Sequence, residues 1–218
     1  MRYSAMHGKT IEKGIADERH VSSKIENSQI DKTMKKVLIV LAEGFEELEA
    51  VATIDVMHRG GLEVVRASLG EERTVQAAHG TRIECDCAFP KLRGLPDEFS
   101  AIVLPGGSLG MRNLLADESI AKALHDFDYA GKIVAAICAA PIVLGAAGLL
   151  EGRKFTCYPG CETEIASGKY DNMSAVVKDG NLITSRGPGT AIAFGLAIVE
   201  ALVDAAAAHS VAHGMLIA

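Results

Sequence analysis

The chain has 218 residues, a formal net charge of −6, and a composition that is 49% apolar and 23% charged. These values are ordinary for a globular protein of one domain, and the acidic balance argues against a nucleic-acid-binding surface. The apolar runs end well short of the ~20 residues that a membrane-spanning helix needs, and no signal peptide is predicted. Five cysteines without a C-x-x-C pair argue against a disulfide framework, so we expect a cytoplasmic protein with free thiols.

The first 33 residues have a polar, mixed-charge sequence without a sustained hydrophobic period. A strongly apolar segment starts just after Met34, so we predict a single domain over residues 34–218. The segment 1–33 is too acidic for a typical organellar transit peptide. We interpret it as a disordered or loosely docked N-terminal extension.

The predicted domain opens with a strand at 35–42, a helix from Glu46 to Arg59 and a second strand at 62–67. The helix has apolar residues at three-residue steps, and two glycines follow its end as a C-cap should. A strand, a helix and a strand in this order form the unit from which parallel sheets are built.

Two short stretches at 75–77 and 82–85 predict a hairpin at the edge of the sheet. The remaining predicted strands are 101–104, 132–137, 154–157, 176–177 and 183–185, and the remaining predicted helices run from Ser119 to Phe127, from the turn at Cys138 to Gly148, near Glu162, and from about Thr190 onward. This alternation predicts an α/β fold, a three-layer sandwich with a mostly parallel central sheet.

Such sheets place their chemistry beyond the carboxyl ends of the strands, where loops from different strands converge. The loops that meet this condition are 43–49, 105–108, 138–141 and 185–190. The second loop contains Gly106 and Gly107, whose backbone N–H groups could line an oxyanion site. From spacing alone, an ordinary tight turn explains the two glycines more simply.

An apolar strand ends at Cys138, and an alanine-rich helix is predicted directly after it. Ala136 and Ala140 occupy the positions where a nucleophile elbow carries small residues, so the turn would push the thiol out of the sheet. A helix N-terminus also favours thiolate over thiol, which predicts a lowered pKa for Cys138. A buried core cysteine is the alternative that these residues leave open.

Four motifs, taken together, resemble the ThiJ/PfpI superfamily and, within it, the branch of the Parkinsonism-associated deglycase DJ-1. They are AEGFEELE at 42–49, LPGGSLG at 104–110, AAICAAP at 135–141 and TSRGPGT at 184–190. Their order matches that of the family, and they span nearly all of the chain from Met34 onward. The resemblance implies a flavodoxin-like sandwich, a homodimer and a reactive cysteine at position 138.

The resemblance also assigns roles around the cysteine. It places the acidic residue of the site at Glu49, the oxyanion-binding N–H groups at Gly107 and Ala139, and the surrounding wall at Arg186 and Pro188. A carboxyl group beside a thiolate has its pKa raised by the like charge. We therefore expect Glu49 to be protonated and to donate a hydrogen bond to the sulfur.

The chain departs from the family pattern at Tyr158, where the deglycase branch often has a histidine before a proline. This departure argues against a cysteine–histidine dyad. Ala139 stands where the protease branch carries histidine, which disfavours peptidase activity, and we find no histidine–acid pair for a glutamine amidotransferase. His209 and His213 have helical spacing that could bind a metal, but an exposed helix face is the favoured interpretation. We expect no metal and no cofactor.

The leading functional hypothesis is a glutathione-independent glyoxalase or protein deglycase that acts on methylglyoxal, glyoxal or their early adducts. In this hypothesis a thiolate adds to the aldehyde and an adjacent acid moves the proton. The alternative is an oxidative-stress thiol sensor or chaperone that uses the same cysteine without turnover. A role in thiamine-related metabolism is the weakest candidate, because no residue in the sequence identifies a thiamine substrate group.

Overall fold

A computed structural model describes residues 34–217, so the expectation for residues 1–33 lies outside the described residues. The strands are β1 (Lys36–Leu41), β2 (Glu63–Ser68), β3 (Thr74–Gln76), β4 (Arg82–Glu84), β5 (Cys87–Ala88), β6 (Ala101–Leu104), β7 (Ile133–Ile137), β8 (Lys154–Phe155), β9 (Lys169–Tyr170), β10 (Val176–Asp179) and β11 (Leu182–Ser185). The α-helices are α1 (Glu47–Arg59), α2 (Leu95–Glu98), α3 (Ser108–Ala116), α4 (Glu118–Tyr129), α5 (Pro141–Ala146), α6 (Ala191–Leu202) and α7 (Ala205–Gly214). Short 3₁₀ turns lie at Phe89–Lys91, Cys161–Glu164 and Pro188–Thr190.

Seven strands form the central sheet in the order β10-β11-β7-β6-β1-β2-β5. All neighbours are parallel except β10, which runs antiparallel to β11 at the edge. The predicted mostly parallel sheet is therefore confirmed. The carboxyl ends of β1, β6, β7 and β11 meet at one edge, which brings the four predicted loops together.

The apolar residues of β1 alternate between two cores on opposite faces of the sheet. Leu38 and Val40 face the core formed with α3, α4 and α5, whereas Val37, Ile39 and Leu41 face the core formed with α1, α6 and α7. A parallel strand covered on both faces is expected to be apolar throughout, as β1 is. Among the helices of residues 34–217, none combines the length and the apolar character needed to cross a membrane.

The predicted hairpin is present, but its two strands, β3 and β4, pair only with each other and form a separate two-stranded sheet. The edge strand on this side of the central sheet is β5. Two backbone hydrogen bonds fix the hairpin instead to the loop after β1, from Gly44 N to Gln76 O (2.8 Å) and from Ala78 N to Phe45 O (2.8 Å). The hairpin thus flanks one of the four loops of the candidate site.

The sequence analysis missed helix α3, which starts at Ser108 directly after the glycine pair. Glycine lowers helix propensity, so Gly107 and Gly110 made this segment look like a loop. The structure explains Gly110 by close packing, because a Cβ there would lie 2.9 Å from the backbone N and Cα of Phe45. A tertiary contact therefore overrides a local preference in α3.

The final long helix predicted from Thr190 is instead two helices, α6 and α7, interrupted at Val203 and Asp204. The Asp204 side chain caps α7 by accepting a hydrogen bond from Ala207 N (2.7 Å). The helix predicted to reach Gly148 ends at Ala146. The strand predicted at 154–157 is shorter and belongs to a separate small sheet, β8 with β9.

Candidate active site

Cys138 lies between β7 and α5 with a backbone φ of +65°, in the left-handed region that residues with a side chain rarely adopt. Two hydrogen bonds hold this backbone, from Cys138 N to Ser185 O (2.9 Å) and from Tyr158 N to Cys138 O (2.8 Å). The strained conformation is the geometry of a nucleophile elbow. Cys138 is 9% exposed and is one of the buried residues at the carboxyl edge of the sheet.

Gly106, after β6, lies against the side chains of both Cys138 and Glu49. A Cβ at this position would lie 2.7 Å from Cys138 Cβ and 2.8 Å from Glu49 Oε2. Contacts this short are essentially never observed, so only glycine allows the cysteine and the carboxyl group to approach each other here. The tight turn that the sequence suggested is thus also a close approach of three segments.

Glu49 is fully buried in the first turn of α1. Its Oε2 accepts a hydrogen bond from Gly106 N (2.8 Å), and its backbone N donates to the capping Oε2 of Glu46 (2.7 Å). Among the described residues, Glu49 Oε1 has no partner in hydrogen-bond geometry. This oxygen is therefore available to exchange a proton with the adjacent thiol.

The pKa of the Glu49 carboxyl is raised from 4.5 to about 7, chiefly by burial and in smaller part by the negative charge of Glu46. Interactions with the Cys138 thiol and the Gly106 N–H oppose this rise but do not cancel it. A raised pKa for Glu49 agrees with the sequence-based expectation. The cause differs from the one expected, because burial is the largest contribution and the like charge that raises the pKa belongs to Glu46, whereas the interaction with Cys138 lowers it.

The pKa of the Cys138 thiol is raised, which contradicts the lowered pKa predicted from a helix N-terminus. Burial is the largest cause, and the charge of ionised Glu49 adds to it, while the N–H groups of Ala139 and Gly107 lower the pKa in part. The helix that was expected to stabilise a thiolate, α5, has only six residues and starts three residues after Cys138. Desolvation of the sulfur therefore outweighs the helix dipole.

The protonation states of Glu49 and Cys138 depend on each other. While Glu49 is ionised, its charge disfavours a second negative charge on Cys138. When Glu49 is protonated, its charge no longer repels a thiolate at Cys138. The N–H groups of Ala139 and Gly107 then still favour the thiolate. Transfer of a proton from the Cys138 thiol to the Glu49 carboxylate would therefore remove the repulsion that disfavours a thiolate at this position.

The structure also brings the predicted wall residues to this site. Gly187 lies next to both the thiol and Tyr158, because a Cβ there would lie 3.9 Å from Cys138 Sγ and 3.2 Å from Tyr158 Cδ2. Tyr158 is 51% exposed, and its ring lies close to Gly187. Arg186 and Pro188 are half-buried on either side of Gly187.

Sequence reasoning missed the side chains that hold this wall in place. Ser185 Oγ and Thr190 Oγ1 are 2.7 Å apart, and Thr190 Oγ1 accepts a hydrogen bond from Gly187 N (3.1 Å). Both residues lie in a motif that the resemblance had marked, but it assigned roles only to Arg186 and Pro188. Hydroxyl-to-backbone bonds of this kind leave no periodic signal in a sequence.

Comparison with known proteins assigns the chain to a family. Residues 35–201 match the DJ-1/PfpI family. The chain is 39% identical to Protein dj-1beta of Drosophila melanogaster over 186 residues, which cover 84% of this chain and 98% of that protein. A deglycase from Pyrococcus abyssi is 38% identical over 155 residues, covering 71% of this chain and 91% of the relative. The chain therefore belongs to the DJ-1/PfpI family.

Solved structures agree with this assignment. The crystal structure of Drosophila melanogaster DJ-1beta has a TM-score of 0.81 and 38% identity, covering 85% of this chain and 99% of the other. Toxoplasma gondii DJ-1, solved in an oxidised form, has a TM-score of 0.77 and 32% identity, covering 84% and 99%. The family resemblance and the fold class predicted from the sequence are both confirmed.

The raised pKa of Glu49 predicts a distinctive pH dependence of stability. The folded protein holds this proton more tightly than the unfolded chain, so the stabilisation is complete below pH 4.5 and is lost as pH rises through about 7. A shift from 4.5 to about 7 corresponds to on the order of 3 kcal/mol. We expect the free energy of unfolding of the wild type, relative to Glu49→Gln, to fall by about this amount between pH 4 and 8.

Urea unfolding at several pH values measures this difference, and the limit of pH 8 keeps the measurement below the titration of free thiols. The same replacement at exposed Glu72 controls for the loss of a carboxylate elsewhere. A difference between wild type and Glu49→Gln that stayed constant, or grew with pH, would contradict the raised pKa.

Proposed function

We propose that this protein is a cysteine-dependent, glutathione-independent glyoxalase or deglycase that acts on methylglyoxal, glyoxal or their early adducts with proteins and nucleotides. The observation that carries the proposal is the buried Glu49 carboxyl group beside the elbow residue Cys138, with its pKa raised to about 7. A carboxyl group that titrates near neutral pH serves both as proton acceptor and as proton donor. The named deglycase among the relatives supports the same reaction class.

The first step is the addition of Cys138 to the aldehyde carbon. As the S–C bond forms, the thiol proton passes to Glu49, and the carbonyl electron pair moves onto oxygen. The N–H groups of Gly107 and Ala139, which face the sulfur, donate hydrogen bonds to the developing oxyanion. Glu49 then returns the proton to that oxygen and leaves a neutral hemithioacetal.

The second step moves a hydrogen between adjacent carbons. Glu49 removes the proton from the carbon that bears sulfur and leaves an enediolate, and the hydroxyl proton of the hemithioacetal passes to the oxygen of the neighbouring ketone carbon. Protonation of that carbon by Glu49 gives a thioester of lactate on Cys138. Water then cleaves the thioester, releasing lactate and restoring the thiol, so that methylglyoxal and one water become lactate.

Tyr158 takes the place of the histidine that the deglycase branch often has, and we propose that it contributes to the wall of the substrate site. Its ring lies close to Gly187 and its backbone fixes the carbonyl of Cys138. In this proposal Glu49 carries both proton transfers, so no histidine partner for the cysteine is required. Arg186 and Pro188 complete the wall beside Gly187.

A thiol sensor is the second candidate, favoured by one observation. Cys138 is adjacent to a carboxyl group that can be protonated at neutral pH and can then donate a hydrogen bond to an oxidised sulfur. Toxoplasma gondii DJ-1 has been solved in an oxidised form. The sensor and the enzyme differ in one property, because an enzyme releases product repeatedly whereas a sensor changes once.

Purified protein incubated with methylglyoxal in thiol-free buffer is expected to produce many equivalents of lactate per chain. Cys138→Ser should abolish the product because it removes the nucleophile. Glu49→Gln should lower turnover by about 10²–10⁴-fold because Gln does not accept the transferred proton. Lactate is the readout, since the disappearance of methylglyoxal also reports adducts with any thiol or amine.

The matched control for Cys138→Ser is Cys161→Ser, which removes a half-buried thiol elsewhere and should leave lactate formation unchanged. Lactate formation by Cys138→Ser at the wild-type rate would refute the proposed nucleophile. If the wild type forms no lactate, but Cys138 gains two oxygens under mild peroxide, the sensor replaces the enzyme as the proposed function.

We also propose that the chain is a cytoplasmic homodimer. DJ-1 family proteins are commonly dimeric. Helix α1, which carries Glu49, exposes Leu48 and Val51 by 54% and 49%, and these two side chains lie one helical turn apart on the same face. Two adjacent exposed apolar side chains next to the candidate site fit a contact with a second copy. The five free cysteines agree with a reducing compartment.

Light scattering tests the proposed dimer. The wild type should have twice the mass of one chain, and Leu48→Lys should shift the population toward monomer because it places a charge in the contact. Leu115→Lys, at a comparably exposed leucine on α3, should remain dimeric. A wild type that is monomeric at micromolar concentration would refute the dimer.

A further inference from the structure

A second group of polar side chains, which the proposed reaction does not use, lies where the hairpin meets α1. Glu46, Glu47 and His79 each offer one ligand atom, and these atoms all lie within 4.8 Å of one another. His79 Nδ1 is 2.9 Å from Glu47 Oε2. We call these three residues the His–Glu–Glu cluster.

The two carboxylates of the cluster are held by the backbone. Glu46 Oε2 accepts from Glu49 N (2.7 Å), and both oxygens of Glu47 accept from His79 N (3.1 and 3.3 Å). The Glu47 side chain is only 17% exposed. Hydrogen bonds that orient ligand groups in advance are typical of metal sites, because they reduce the ordering that binding requires.

The imidazole comes from a different element, and main-chain hydrogen bonds fix its position relative to the carboxylates. Gly44 N donates to Gln76 O and Ala78 N donates to Phe45 O, so the residues on either side of Ala77, directly before His79, are bonded to the loop that precedes α1. Gly80 N also donates to Ala77 O (3.2 Å) and closes the turn that carries His79. The hairpin that carries His79 is therefore held in a fixed position relative to the start of α1, which carries Glu46 and Glu47.

The donor set determines which ion would bind. One imidazole nitrogen and two carboxylates suit divalent transition metals, and the two negative charges balance the charge of the ion. Two atoms 2.9 Å apart match neighbouring positions of an octahedral ion with bonds of about 2.1 Å. We propose that the His–Glu–Glu cluster binds a divalent transition-metal ion through Glu46, Glu47 and His79, with water in the remaining positions.

The cluster lies on the rim of the candidate active site and not within it. Cys138 and Glu49 Oε2 lie against Gly106, whereas the His79 side chain is 73% exposed in the hairpin turn. The proposal does not depend on the proposed function, because the metal takes no part in the reaction derived above. An ordinary ion pair between Glu47 and His79 is the simpler alternative, and the experiment must separate the two.

Cobalt(II) is the probe, and the full chain is used in a His209→Ala/His213→Ala background. This background removes an exposed pair of histidines with helical i, i+4 spacing that could bind the same ion. Calorimetry measures the affinity, and NMR follows the histidine ring signals, which paramagnetic cobalt broadens when it binds nearby. Residues 1–33, with two further histidines, are retained in every variant so that their contribution cancels.

We expect the His79 ring signal to broaden at substoichiometric cobalt, before the signals of the exposed His58 and His125. His79→Gln should weaken binding by about tenfold or more, and Glu47→Gln should do the same while the imidazole remains. If the His79 signal broadens no earlier than the other two, or if His79→Gln binds cobalt as tightly as its parent, the cluster is only an ion pair. Lactate formation is not a readout, so this result is independent of the glyoxalase test.

Discussion

The site depends on the burial of one carboxyl group against one thiol. Desolvation raises the pKa of Glu49 to about 7 and also raises that of Cys138, so neither group ionises freely in the folded protein. Each negative charge disfavours the other, and the pair is therefore suited to exchanging a proton when a substrate presents an electrophilic carbon. Burial of the Glu49 carboxyl lowers the free energy of unfolding at neutral pH. Functional sites often carry such a cost in stability.

The rest of the fold holds that pair in contact. Parallel strands bring the loops after β1, β6, β7 and β11 to the same edge of the sheet, where they place Glu49, the close-packed glycines, Cys138 and the segment around Gly187 together. The loops meet at Gly106, where the absence of a side chain allows them to pack closely. Cys138 adopts a strained φ of +65°. Hydrogen bonds from Tyr158 N and to Ser185 O stabilise that conformation from both sides.

The sequence predicted most of the architecture because parallel α/β folds have strong periodic signals. The apolar strands, helix α1 and the turn at Cys138 follow from local pattern, and the four segments marked by the family motifs lie at one edge of the sheet. Helix α3 was missed because glycine has a low helix propensity. Gly110 is required there by close packing against the backbone of Phe45, which a sequence pattern does not reveal. The direction of the Cys138 pKa was wrong for a similar reason, since burial depends on tertiary packing that the spacing of residues does not encode.

The most direct test of the shared proton is a carbon-13 NMR titration of the Glu49 side-chain carboxyl. We predict a midpoint near 7 in the wild type, and a higher midpoint in Cys138→Ala, because the thiol interaction that lowers the Glu49 pKa is lost. The ultraviolet absorbance of thiolate, recorded on the same samples, should show Cys138 protonated at pH 7. A Glu49 midpoint near the unperturbed value of 4.5, together with thiolate absorbance from Cys138 at neutral pH, would contradict the account.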